Sequence, residues 1–120
     1  MKKKTLVLGA SENPSRYSHL AVRKLVAHGH PVVAVGRRNG KIGEVIISKD
    51  PLQEKDVDTV TLYLNPSNQV PYYDYILSLH AKRIIFNPGT ENTELVEKAR
   101  KQGIETEEAC TLVMLSTSQY

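Results

Sequence analysis

Four short, nearly unbroken apolar runs recur along the chain, each closed by a turn residue. They are Thr5-Leu6-Val7-Leu8 before Gly9, Val32-Val33-Ala34-Val35 before Gly36, Thr59-Val60-Thr61-Leu62-Tyr63-Leu64 before Asn65, and Arg83-Ile84-Ile85-Phe86 before Asn87. Runs this short and this rich in β-branched residues fit strands, and the lack of apolar–polar alternation fits strands covered on both faces. Helical spacing fills the gaps. Tyr17, Leu20, Ala21, Leu25 and His28 recur at intervals of three and four, which predicts a helix from residue 15 or 17 to residue 28, capped by Gly29.

Val70, Tyr73, Ile76 and Leu77 predict a second helix over residues 69–80, in which Pro71 is tolerated only in the first turn. A third is expected over residues 92–102. Glu91 and Glu94 sit near its start, Lys98, Arg100 and Lys101 at its end, and Gly103 follows. Ile104 to Thr106 reads as a fifth strand. Residues 42–55 are harder to place: Val45-Ile46-Ile47 is a short extended piece, and Asp50-Pro51 marks a turn. The apolar tail over residues 109–115 suits either strand or helix. This alternation predicts an α/β fold, a Rossmann-like three-layer sandwich with a mainly parallel five-stranded sheet, formed by residues 1–120 as one domain.

At 120 residues a single core is large enough to need no disulfide or metal staple. The 16 Lys+Arg against 13 Asp+Glu leave +3, an excess that Lys2, Lys3 and Lys4 alone match, so no nucleic-acid partner is expected. The single cysteine excludes a disulfide framework and a Cys-rich zinc site and suits a reducing cytoplasm. Lys2 to Lys4 resemble the start of a signal peptide, but Leu6-Val7-Leu8 is too short an apolar stretch to follow it, and no run approaches the ~18 residues of a membrane span. A soluble, cytoplasmic protein is expected.

Open α/β sheets bind ligands beyond the carboxyl ends of their strands, which directs attention to four loops. In the first, Gly9 permits a tight exit, and Ala10 and Ser11 are small enough for amides to face a phosphate beside a helix N-terminus. The dinucleotide pattern G-x-G-x-x-G fails, because Ser11 and Pro14 stand at its second and third glycines; no Walker A motif occurs. After the second strand, NAD sites carry an acid for the ribose diol, whereas this chain has Gly36-Arg37-Arg38 with Lys41 behind. Two guanidinium groups suit a phosphate. Both NADP, with a 2′-phosphate, and coenzyme A, with a 3′-phosphate, meet that requirement.

Gly9-Ala10-Ser11-Glu12-Asn13-Pro14, His28-Gly29-His30-Pro31-Val32, Asn87-Pro88-Gly89-Thr90-Glu91, Ala99-Arg100-Lys101-Gln102-Gly103-Ile104-Glu105 and Cys110-Thr111-Leu112, in this order, resemble the CoA-binding domain family. The same fold forms the amino-terminal domain of the succinyl-CoA synthetase α subunit. The resemblance covers nearly the whole chain and is weakest over residues 42–58. It implies CoA or acyl-CoA as ligand. Gly9, Ala10, Ser11, Glu12 and Asn13 would hold the phosphates by backbone and by the Ser11 hydroxyl, and Arg37 or Arg38 would meet the ribose-phosphate end. Pro66 and its neighbours would flank the adenine or pantetheine, with Asn87 and Pro88 as the other wall.

The synthetase's phosphorylated histidine belongs to a second domain that finds no counterpart here. His19, His28, His30 and His80 occupy helix or cap positions without metal-ligand spacing, and no G-x-S-x-G elbow occurs, so neither catalysis nor a metal is expected. Cys110, in an apolar run, reads as a buried structural thiol; disulfide exchange with the CoA thiol is the functional alternative. Three readings stand at this point: a non-catalytic CoA-binding protein with an unknown protein partner, an NADP-type nucleotide-binding or redox-sensing protein, and an interaction module with a vestigial pocket.

Overall fold

A computed structural model describes residues 2–120. Seven strands form one sheet: β1 (Thr5–Leu8), β2 (Val32–Val35), β3 (Gly40–Ile42), β4 (Val45–Ser48), β5 (Thr59–Leu62), β6 (Arg83–Phe86) and β7 (Glu105–Glu108), in the spatial order β3-β4-β2-β1-β5-β6-β7. Every neighbouring pair is parallel except β3 and β4. The helices are α1 (Tyr17–Ala27), α2 (Pro66–Gln69), α3 (Tyr73–Ser78), α4 (Thr93–Lys101) and α5 (Thr111–Ser116). In register, Leu8 faces both Val35 and Leu62, and Leu62 faces Phe86, so four strands end on one line.

The mostly parallel α/β architecture matches the sequence expectation, but the sheet has seven strands, not five. The additional pair comes from the segment that resisted placement. Ile42 and Ile47 are buried while Lys41 and Ile46 face solvent, an alternation that marks a strand covered on one side only. Gly43, at φ 58°, makes the two-residue connection between them possible.

Alternation within β1 divides the interior in two. Leu6 and Leu8 join Val60, Leu62, Ile84 and Phe86 against Ile76, Leu79, Leu95 and Ala99 of the α3 and α4 side. Val7 joins Ala34 and Ile47 against Val22 and Leu25 of α1 and Leu115 of α5. The tail is therefore helical. Its first amide, Thr111 N–H, donates to Asn87 Oδ1 at 2.9 Å.

Local boundaries depart from expectation for identifiable reasons. In α1 the buried face is Ser18, His19, Ala21, Val22 and Leu25; Ala21 and Leu25 of the expected stripe lie on it, whereas Tyr17, Leu20 and His28 are exposed, Tyr17 by 71% and Leu20 by 42%. The helix expected over residues 69–80 starts at Pro66 and breaks into a 3-10 turn at Val70–Tyr72 before α3, because Pro71 has no N–H with which to continue an α-helical ladder. The last strand begins at Glu105, one residue beyond the expected start, and Ile104 is a buried anchor ahead of it. α4 matches closely: Asn92 Oδ1 accepts from Leu95 N–H at 3.2 Å as its cap, and three basic residues complete the last turn.

Candidate functional site

The aligned strand ends open onto a cleft of about 710 Å³, within the size range of small-molecule sites. It is bounded by the β1–α1 loop, the segment after β2, and the exits of β5 and β6. A smaller hollow of about 220 Å³ adjoins it, walled by Leu64, Pro71 and Tyr72, and shares Gly9 and Arg37 with the main cleft.

The loop after β1 is set by its neighbours. Gly9 has φ 99°, and a β-carbon there would stand 3.1 Å from the Tyr63 carbonyl, so both conformation and space select glycine. Gly9 and Ala10 amides both donate to Val35 O, at 2.8 and 3.0 Å, which removes them as ligand donors. Asn13 N–H donates to Ser11 Oγ at 3.1 Å, and the Asn13 carboxamide in turn accepts from Ser15 N–H at 3.0 Å. Ser11 and Glu12 N–H, and Tyr17 and Ser18 N–H in the first turn of α1, have no acceptor among the described residues. These four amides, rather than those of Gly9 and Ala10, are the donors the loop offers.

Three arginines border the cleft. Arg37 and Arg38 are exposed after β2, and Arg16 is exposed at the start of α1. None of them forms an ion pair with a carboxylate of the described residues. Unpaired, adjoining guanidinium groups make this mouth strongly attractive to anions. Arg16 was not singled out from sequence, because only the fold shows that the turn before α1 carries it to the same mouth as Arg37.

The remaining expected site residues separate into two groups. Pro88 lines the cleft beside Gly89 and Thr90. Asn87 does not. It is 2% exposed, its Nδ2 donates to Thr61 Oγ1 at 2.7 Å and Leu62 O at 2.9 Å, and its Oδ1 holds α5. Pro66 starts α2, facing solvent away from the cleft, whose wall here is Leu64, Asn65 and Asn68.

Two buried polar residues brace the site from behind. His19 Nε2 accepts from Arg23 Nε, so the ring proton lies on Nδ1, which donates to Ser11 O at 3.0 Å and ties the loop to α1. Gln69, fully buried, donates from Nε2 to Leu64 O and to Thr90 O, both at 2.8 Å, and so joins the two walls of the cleft. Tyr63 lines the cleft with a buried hydroxyl that has no hydrogen-bond partner among the described residues, and burial pushes its phenol well up from the ordinary value. Cys110 is half-buried and caps α5 outside the cleft lining.

Comparison with known proteins adds a family and a set of structural likenesses. The sequence pattern described as "CoA binding domain" matches residues 3–116. The crystal structure of an uncharacterized protein is similar at 50% identity, with a TM-score of 0.97 over 100% of this chain and 99% of that one. A hypothetical protein from Pyrococcus horikoshii OT3 has the same fold, at 24% identity and TM-score 0.86 over 97% of this chain and 83% of its own. An oxidoreductase from Bacillus cereus shares the fold at 14% identity and TM-score 0.62, over 88% of this chain but 34% of that one. No curated protein matches the chain by sequence.

Proposed function

The chain belongs to the CoA-binding domain family, and from that premise we propose that it is a non-catalytic binding protein for coenzyme A or an acyl-CoA. The observation that carries this reading is the placement of Arg37 and Arg38, both without carboxylate partners among the described residues, at the exit of β2. That is where this fold meets an adenosine ribose, and the 3′-phosphate of CoA supplies the negative charge to pair with the arginines. The adenine enters the small hollow against Leu64, Pro71 and Tyr72. The diphosphate crosses the Ser11 and Glu12 amides and the first turn of α1, with Arg16 as a third cation. The pantetheine arm continues past Tyr63 toward Pro88 and Thr90.

Absence of chemistry is part of the proposal. The Ser11 hydroxyl accepts from the Asn13 amide, and both nitrogens of His19 are committed to structural bonds, which supports holding a ligand over attacking it. Calorimetry with CoA, dephospho-CoA and NADP tests the reading. CoA should bind most tightly; equal affinity for CoA and dephospho-CoA would remove the 3′-phosphate contact. Tighter binding of NADP would replace the ligand with a 2′-phosphorylated dinucleotide held by the same arginines.

A further inference from the structure

Glu12 is the one carboxylate among the residues lining the cleft, and it stands in the loop offered to the phosphates. A free carboxylate at an anion site opposes binding, so its presence asks for a reason. Its Oε2 accepts from Lys41 N–H at 2.9 Å. The side chain reaches that amide by lying across Gly40, where a β-carbon would fall 2.4 Å from Glu12 Cδ and 2.7 Å from Oε1. Gly40 and Lys41 begin β3, immediately after the Arg37-Arg38-Asn39 segment.

Besides the β3–β4 ladder that begins at Gly40, three hydrogen bonds hold that segment. Gly36 N–H donates to Ser48 O at 3.0 Å upstream, and Asn39 Oδ1 accepts from Lys49 N–H at 2.9 Å in the middle. The third is the Glu12 bond to Lys41 downstream. The first two fasten the segment to β4 and its following turn, on the far side from the phosphate loop. Of these three hydrogen bonds, only the Glu12 bond joins the arginine segment to the β1–α1 loop.

We propose that the Glu12 side chain is a positioning group: it fastens the arginine segment to the phosphate loop through Lys41 N–H, so that one ligand meets both, and the carboxylate does not itself touch the ligand. The inference rests on the CoA reading above and deepens it by assigning what sets the spacing between the two phosphate contacts. The tie turns Oε2 toward Lys41 N–H, while the carboxylate keeps its charge. Gly40 is the required complement, since any side chain there displaces the Glu12 carboxylate.

The experiment measures CoA and dephospho-CoA affinities for the wild-type chain and for Glu12→Ala, Glu12→Gln and Gly40→Ala. Glutamine keeps an acceptor for Lys41 while losing the charge, which separates the tether from electrostatics. Glu12→Ala should reduce the CoA over dephospho-CoA preference by about two- to tenfold, the cost of ordering one long side chain that the tether otherwise holds in place. Dephospho-CoA affinity should change by less than that, and Glu12→Gln should keep most of the preference. Gly40→Ala should reproduce Glu12→Ala, with folding intact because the atoms that have to move belong to one exposed, flexible side chain and not to backbone. Amide exchange at Lys41 should quicken in Glu12→Ala and Gly40→Ala without any ligand. An unchanged or increased preference in Glu12→Ala overturns the role given to Glu12 while leaving CoA as the ligand. A wild-type chain that binds no CoA overturns the ligand itself, and the role of Glu12 with it.

Discussion

Gly36 and Ala10 meet backbone against backbone: a β-carbon on Gly36 would lie 2.2 Å from the Ala10 carbonyl oxygen. The exits of β1 and β2 are therefore as close as two chains can come, and the phosphate loop and the arginine segment start from one contact. Gly36→Ala forces two backbones apart in a well-packed region, at a cost of about 1–3 kcal/mol. Chemical denaturation should show that loss, and calorimetry should show CoA binding weakened beyond what the stability change explains.

In the proposed reading, the arginines supply the ligand's discriminating contact. Replacing both Arg37 and Arg38 with Ala should weaken CoA binding by about ten- to a hundredfold, the range of a lost charge-assisted contact. Dephospho-CoA binding should be nearly unchanged. The wild-type preference for CoA should shrink as salt rises, since both side chains are exposed to the screening ions.

Asn87 is a structural residue in a loop that otherwise belongs to the site. Asn87→Ala leaves the Thr111 amide, the Leu62 carbonyl and the Thr61 hydroxyl each short of a partner, with a cost of about 2–4 kcal/mol. Thermal unfolding should record a large drop in Tm. An α5-specific loss of amide protection should accompany it, because α5 hangs from that side chain.

His30 gives the fold an acid-sensitive point. Its Nδ1 accepts from Lys3 N–H at 2.9 Å and its ring packs 4.9 Å from that of Tyr120. Burial, with Lys2, His28 and Lys3 nearby, holds its pKa below the ordinary value of 6.5. The unfolded chain therefore binds the proton more readily, so the contribution is fully present above pH 6.5 and is lost as pH falls through the lowered folded value. Denaturation midpoints measured from pH 7.5 down to pH 5 should decline, and His30→Gln should flatten the decline.

The parts of this fold legible in sequence are those whose signal is burial on both faces. Leu6, Val7 and Leu8, or Ile84, Ile85 and Phe86, are apolar whichever way they point, and this continuity marks central parallel strands. Ile42 and Ile47 carry half that signal, because Lys41 and Ile46 alternate with them in the β3–β4 hairpin. The loops were legible as a location, since strand ends define the site, but not as a set of side-chain directions. Asn87 and Pro88 are adjacent, yet one faces the interior and the other the cleft. Arg16 and Arg37 are far apart in the chain and meet at one mouth only because α1 begins where β2 ends. Gln69, read only as the start of a helix, is invisible as a brace until Leu64 and Thr90 are seen to approach it from two loops.

The outermost strand β7 presents Glu105 and Glu108 to solvent while its inner edge pairs with β6. A free strand edge is a template on which a second copy can add its own strand and seed aggregates. Two copies meeting there would bring like-charged carboxylates face to face in either direction of approach, so each molecule discourages the extension of its own sheet. Crowding should therefore leave this edge unpaired, and substituting both glutamates with a neutral β-former such as threonine should show up first as loss of solubility, well before any change in ligand affinity.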